Sequence, residues 1–309
     1  MHRMLKYALR RLWQTVPTTL GILLLAFVLF NVVGGSPAET LLGKNATAEA
    51  IAAFNAKWGY DRPLPVQFVR YLGDLCRGDL GFSIEHQEPV IDVLARGVGP
   101  SLSLTVPILV LGVVVGLALA LAAAARRGRA LDHAVLLGST ALMSVNYVVW
   151  VLAGQFFLAY KAGLFPVWGY ESAYNLVLPV FIGVVSSLGA DVRFFRAAIL
   201  DEIYRPYVLA ARAKGLPGSV ILVRHVLRNA LVPIVTYVSL SIPHLFTGSL
   251  LLESFFGIPG LGSVAINAIH SSDMAVVRAV VVIGALLYQF VNLATDLLYA
   301  ALDPRVTVG

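Results

Sequence analysis

Long apolar runs dominate this chain, and they decide which solvent it can fold in. Leu12–Val33, Leu102–Ala125, Ala134–Ala159, a run starting near Leu176, Ala230–Leu252 and about Ala279–Ala301 are nearly free of charge. Most reach the roughly 20 residues an α-helix needs to cross a hydrocarbon core. Of 309 residues, 58% are apolar and only 13% charged. A water-facing globule of this size cannot cover that much apolar surface. The pattern predicts an all-α integral membrane protein with six transmembrane helices. The fourth loses its apolar character near Ala190, where Asp191, Arg193 and Arg196 follow. That helix is expected to continue beyond the membrane.

Charge sets the orientation. Lys and Arg concentrate before Leu12, at 126–129, from Arg193 to Arg228, and at Arg305. The positive-inside rule places these segments, and both termini, in the cytoplasm. The net charge of +6 is thus explained by topology. No basic stripe with interleaved aromatics points to nucleic acid. The first apolar run is longer than the roughly 7–15 residues of a cleaved signal, so it reads as a retained span. Cys76 is the sole cysteine, which excludes an internal disulfide and suggests a small packed hydrophobe. The six histidines show no zinc-ligand spacing.

The chain divides into three parts. Residues 1–33 form an N-terminal cytoplasmic segment and the first span. Residues 34–100 form an extracytoplasmic loop that caps the outer mouth. Residues 101–309 form the main transmembrane domain. In the loop, Thr47 is positioned to cap a helix through Phe54. Pro65 opens a second helix, with Val66, Val69, Leu72 and Cys76 along one face. Gly78-Asp79-Leu80-Gly81 reads as a turn.

The segment from about 204 to 228 is basic, punctuated and set between apolar runs. Pro206 suits the first position of a helix, where its missing N–H costs nothing. Gly215 suits the left-handed stop. Ala210 and Ala211 offer a face with almost no side chain, open to close approach by another protein. Arg212 and Lys214 sit at the favourable end of the helix dipole. Pro217 starts a second short helix, with Val220, Val223, Val226 and Leu227 turned toward the fifth span. A plain connecting loop needs no such definition, so Tyr207, Ala210, Ala211, Arg212, Lys214, Gly215 and Leu216 are the expected contact with a force-delivering partner.

AARAKGL at 210–216 and HVLRNALVPIVT at 225–236 carry a resemblance. So do GDLGFS at 78–83, FFGIPGLG at 255–262 and NLATDLLYAALDPRV at 292–306. In order and spacing the chain resembles the membrane permease subunits of bacterial ATP-binding-cassette importers of the dipeptide, oligopeptide and nickel class. The resemblance implies the type I importer (MetI-like) permease fold in the bacterial inner membrane. It implies a second homologous permease subunit, two cytoplasmic ATPases that bind ATP and Mg, and an extracytoplasmic substrate-binding protein. It also implies that 204–228 are coupling helices. The chain has no G-x-x-x-x-G-K-[ST] stretch, so no cofactor is expected in it, and no catalysis by it alone.

Peptides are the expected cargo, with nickel, glutathione or another small solute as alternatives. Ser239, Ser241, His244, Asn146 and Gln289 are the candidate pathway-lining residues, with Ser186, Ser187, Gln155 and Asn292 behind them. Asp191 and Asp296 are expected to pair with nearby bases, and Arg278 to snorkel toward the outer surface. Pro179, Pro233 and Pro243 are positioned to bend the fourth and fifth helices beside a gate. A proton-coupled secondary transporter would need inverted repeats and midplane ionisable residues. An intramembrane enzyme would need a catalytic constellation. Neither pattern is visible.

Overall fold

The computed structural model describes residues 2–33, 46–58, 61–242 and 249–302. Helices make up most of it. Among the described residues the strands form one hairpin, in which Phe82–Ser83 pairs antiparallel with Glu88–Pro89. Five helices are long and apolar enough to cross a membrane, within Arg11–Asn31, Val90–Ala125, Ala173–Ile203, Gly218–Ser239 and Met274–Thr295. Two bent helix pairs raise the total to seven if each is one span.

Several spans differ from the sequence reading. The second helix starts at Val90, not Leu102, and carries Pro100 and Pro107 within it. The third run breaks into Ala130–Ser144 and Tyr147–Lys161, bent by 90°. Asn146 causes this break. Its backbone is extended, and its Oδ1 accepts from the Val148 N–H at 2.9 Å. A capping asparagine satisfies the start of a new helix at the expense of continuing the old one. The fifth run is also not one helix: Leu227–Ser239 and Leu250–Phe256 are separate. Pro243 and His244, which lie between them, fall outside the described residues, as does the Asp296 side chain. The fourth run is continuous from Ala173 to Ile203, through Pro179 and well past Ala190.

Residues 1–100 and 260–309 form one compact unit. His2–Val28 packs along Met274–Leu302, and Leu64–Cys76 adds its own buried face. That face is not the expected one: Val66, Val69 and Cys76 are exposed. Leu72 packs inward as expected, but Phe68, Tyr71 and Leu75 are the residues that join it against Leu23, Ala26, Phe27 and Val282. Phe27 meets Phe68 at 5.3 Å and Tyr71 at 5.7 Å between ring centroids. Two aromatic rings bury more apolar area than two valines, and this chooses the face. The Arg278 guanidinium lies 5.5 Å from the Tyr71 ring and donates to Asn31 Oδ1 at 3.3 Å. Thr47 caps its helix as expected, accepting from the Ala50 N–H at 3.2 Å, and that helix runs on to Trp58.

The GDLGFS stretch forms the predicted turn. Gly78 and Gly81 have φ of +76° and +95°, and Asp79 Oδ1 accepts from the Gly81 N–H at 2.9 Å. The turn is tied down by Asp273, only 1% exposed. Its Oδ2 accepts from Ser83 Oγ at 2.6 Å and from the backbone N–H groups of Ile84 and Glu85 at 3.0 and 3.2 Å.

Residues 101–259 form the second unit. Ala130–Ser144 packs on Ala173–Ile203 through close backbone approach at Gly189. A methyl there would lie 2.6 Å from the Ser139 carbonyl oxygen, and a backbone atom cannot swing aside. Gly189→Ala is therefore expected to lower stability by about 1–3 kcal/mol, the range for overpacking. Thermal unfolding of the detergent-solubilised protein checks this, and an unchanged midpoint contradicts the close packing. Two cores fill the unit. One gathers Leu104, Val151, Leu178, Ile182, Leu252 and Phe256; the other gathers Ala120, Phe195, Ile199, Val208, Val226 and Ile234.

Candidate functional site

The segment 204–228 folds as an elbow at one end of the second unit. Arg205 is extended and caps nothing by side chain, so Pro206 alone sets the start of the helix Pro206–Ala213. Its stop is a full Schellman motif. Gly215 has φ +74°; its N–H donates to Arg212 O at 2.9 Å and the Leu216 N–H donates to Ala211 O at 3.4 Å. Both bonds satisfy carbonyls the helix end would otherwise leave open.

The two alanines part company. Ala211 is buried with Val208 against Phe195, Ala198 and Ile199, while Ala210 is exposed. Adjacent helical positions lie about 100° apart, so one face cannot hold both. The outward surface is Leu209, Ala210, Arg212 and Lys214–Leu216, and Leu209 is 62% exposed. Tyr207 is half-buried and ties the elbow to the long helix, donating from its hydroxyl to Glu202 Oε2 at 2.6 Å. Burial lifts its phenol above the ordinary tyrosine value.

After Pro217 the chain makes one helical turn, Gly218–Val220, then a wide π-helical stretch, Ile221–Val226. This changes the expected stripe. Val220 and Val223 are exposed, whereas Val226 is buried as expected, Leu227 is half-buried and Ile221 joins them. A π turn closes over five residues rather than four, so the inward positions move to a spacing of five.

Above the elbow, in the same unit, is a cavity of about 460 Å³, inside the roughly 300–1,000 Å³ range of small-molecule sites. Its walls are largely apolar, and its polar groups include Ser186, Ser187, Asp191, Tyr237 and Ser241, with Thr105, Tyr147 and Ser249 beyond them. Asp191 does not pair with a base. Its Oδ1 accepts from the Tyr237 hydroxyl at 3.0 Å. The neighbouring bases are turned elsewhere: Arg196 donates to Asp132 at 2.7 and 2.8 Å, and Arg193 Nη1 reaches Met143 Sδ at 3.9 Å.

Of the predicted pathway residues, Ser241 lines this cavity, as do Ser186 and Ser187. Ser239 is buried in the adjoining helix. Asn146 caps the broken third span. Gln289 lies in the other unit and donates to Thr18 Oγ1 at 3.1 Å. Gln155 acts as a clamp, donating from Nε2 to Val167 O at 2.9 Å and Phe255 O at 2.8 Å. His244 lies outside the described residues. Among the described residues no three metal-ligating side chains converge.

Sequence reasoning missed Glu253, which is fully buried. Its Oε1 accepts from Ser101 Oγ at 2.8 Å and from the Ser249 N–H at 3.1 Å. Ser249 followed by an acid in the next turn was the available signal, a variant of the capping box. Tyr237 and Asp273 were also missed. Ser272-Asp273 just before the last apolar run had the look of a helix cap. In the FFGIPGLG stretch, Gly257 has φ +66° and Trp168 occupies the space a side chain would need.

Comparison with known proteins places this architecture. A family described as "Binding-protein-dependent transport system inner membrane component" matches residues 112–308. The corresponding N-terminal family matches residues 4–105. The glutathione transport system permease protein GsiC of Salmonella paratyphi A is 33% identical over 304 residues, covering 98% of this chain and 99% of that protein. The probable peptide ABC transporter permease protein y4tP of Sinorhizobium fredii is 32% identical over 308 residues, covering 97% and 98%. GsiC of Escherichia coli is 31% identical over 304 residues, covering 98% and 99%. Similarity of this extent, running almost end to end through a multi-helix membrane architecture, means that the chain belongs to the family of binding-protein-dependent transport system inner membrane components, the transport permeases.

Proposed function

We propose that this chain forms one half of the membrane passage of an ATP-driven importer of peptides. A second homologous permease completes the passage, two cytoplasmic ATPases drive it, and an extracytoplasmic binding protein delivers the solute. ATP and Mg belong to the ATPases. The peptide class rests on the relatives, which are named for peptides and for glutathione, itself a tripeptide. Glutathione is accordingly the second reading of the cargo.

Six spans fit best. The five long helices and the bent pair Ala130–Lys161 supply them, and the short helices between 250 and 270 are then not a span. An even number puts both termini on one side, and the basic segments make that side the cytoplasm. On this reading 34–100 is an extracytoplasmic cap between the first two spans, and 101–309 carries the permease domain. The elbow at 204–228 then lies beneath the bilayer.

The observation that carries the proposal is the elbow's two-sided build. Val208 and Ala211 lock it into the core of two spans. Leu209, Ala210 and the turn Lys214–Leu216 remain outside. A segment so held transmits a push to both helices together, as a two-state rocking motion requires. A cysteine at Ala210 tests this in a Cys76→Ser background, because Cys76 is exposed. A membrane-impermeant maleimide applied from the cytoplasmic side should label Ala210→Cys rapidly in the permease alone, and several-fold more slowly once the ATPases are bound. Equal rates would remove the elbow as the docking point.

A further inference from the structure

The cavity contains one acidic side chain that the coupling mechanism does not use. Asp191 sits among apolar walls in a helix read as a membrane span. Among the described residues it has no cationic partner. Its hydrogen bonds come from neutral hydroxyls, those of Tyr237 and Ser187. Ionisable groups inside spans are costly, and they are kept where they face a pathway or a ligand.

The surroundings hold this carboxylate open. Tyr237 is fixed by stacking on Phe194 at 4.3 Å and by an edge contact with Phe195 at 5.9 Å, so its hydroxyl is aimed before any solute arrives. Gly112 faces the second oxygen. A methyl at that position would lie 3.6 Å from Oδ2 and 3.5 Å from Ser187 Oγ, so the absent side chain leaves the approach clear. Ser187 stands one turn before Asp191 on the same face and also lines the cavity. A single anion with two hydroxyls in an apolar chamber suits a primary ammonium group. It does not suit a carboxylate or a phosphate, which the same anion would repel.

We propose that Asp191, with Tyr237 and Ser187 around it, is a cation subsite that takes the protonated amino group of the solute in transit. This rests on the peptide reading above. It assigns this chain a share in selecting cargo, separate from the choice made by the delivering protein.

The test uses the whole complex, reconstituted in proteoliposomes with its ATPases and binding protein. Uptake of a dipeptide with a free amino terminus is compared with its N-acetylated analogue, each at a concentration that saturates the binding protein. The wild type is expected to prefer the free amine by about tenfold, the scale of one charge-assisted hydrogen bond. Asp191→Asn should bring the ratio close to one by lowering free-amine uptake alone, and Asp191→Glu should keep most of the preference. If the wild type takes up both peptides and Asp191→Asn leaves the ratio unchanged, the subsite is refuted and the peptide reading stands. If the wild type takes up neither, the peptide reading fails and the subsite falls with it. Should Asp191→Asn not assemble, an apolar carbodiimide applied to the wild-type complex decides. Protection of Asp191 by the free-amine peptide but not by the acetylated one supports the subsite, and equal labelling overturns it.

Discussion

Replacing Asp132 by alanine is expected to lower the stability of the chain by about 2–3 kcal/mol, the range for hydrogen bonds to a charged group in a partly buried pair. The Asp132 and Arg196 side chains are 4% and 16% exposed, and Arg196 Nε lies 2.7 Å from Asp132 Oδ1. A second bond, from Nη2 to Oδ2 at 2.8 Å, makes the contact bidentate. Oδ2 also accepts from the Gly128 N–H at 2.9 Å, at a turn where φ is +72°. One carboxylate therefore fastens the 126–129 turn, the start of Ala130–Ser144 and the lower part of Ala173–Ile203. Its loss strands a guanidinium in a site with little water. Thermal unfolding in detergent measures the cost. The double variant Asp132→Leu with Arg196→Met should recover most of it, because no charge is then left unpaired. If the double variant is as unstable as the single one, packing around Asp132 rather than stranded charge sets the cost.

What the sequence makes legible here is local. Pro206 and Gly215 declare the start and stop of the elbow helix, and each does its work within one turn of itself. Gly78 and Gly81 declare a turn for the same reason, and the apolar runs declare the membrane. What it hides is decided by partners far along the chain. Whether Val66 and Val69 or Phe68 and Tyr71 face inward depends on Phe27 and Val282, which no helical period reveals. The broken third span follows from a contest between Asn146 as a cap and as a helix residue. That Ile221, rather than Val220 or Val223, joins Val226 inside follows from a π turn with no clear composition signal. Asp191 looked like half of an ion pair because Arg193 and Arg196 are near in sequence. Helical geometry sends both elsewhere, and Tyr237, a residue of another helix, takes the contact. The cavity is thus the least legible part of the site and the elbow the most.

Gly215→Val should reduce ATP-driven uptake by about tenfold at equal amounts of assembled permease. The expected cost is one of conformation alone. No atom lies within 4 Å of where a Cβ would stand at Gly215, so nothing in the structure is struck. The φ of +74° is nonetheless a geometry that costs an L-residue roughly 1–2 kcal/mol, with β-branched side chains the worst placed. That corresponds to about a five- to thirtyfold shift away from the closed turn. Opening the turn loses the bonds to Arg212 O and Ala211 O and displaces Lys214–Leu216, the outward surface proposed to meet the ATPase. Asparagine tolerates the left-handed region, so Gly215→Asn should retain most of the uptake, and Gly215→Ala should fall between. The series separates geometry from bulk: a loss that tracks left-handed propensity places the turn in the drive train. Equal uptake by Gly215→Val and Gly215→Asn, whether both high or both low, shows that the closed turn is not what the ATPase grips. On the proposed reading the elbow transmits force only while its end keeps one shape, and at this end a single glycine, rather than any side-chain contact, keeps it.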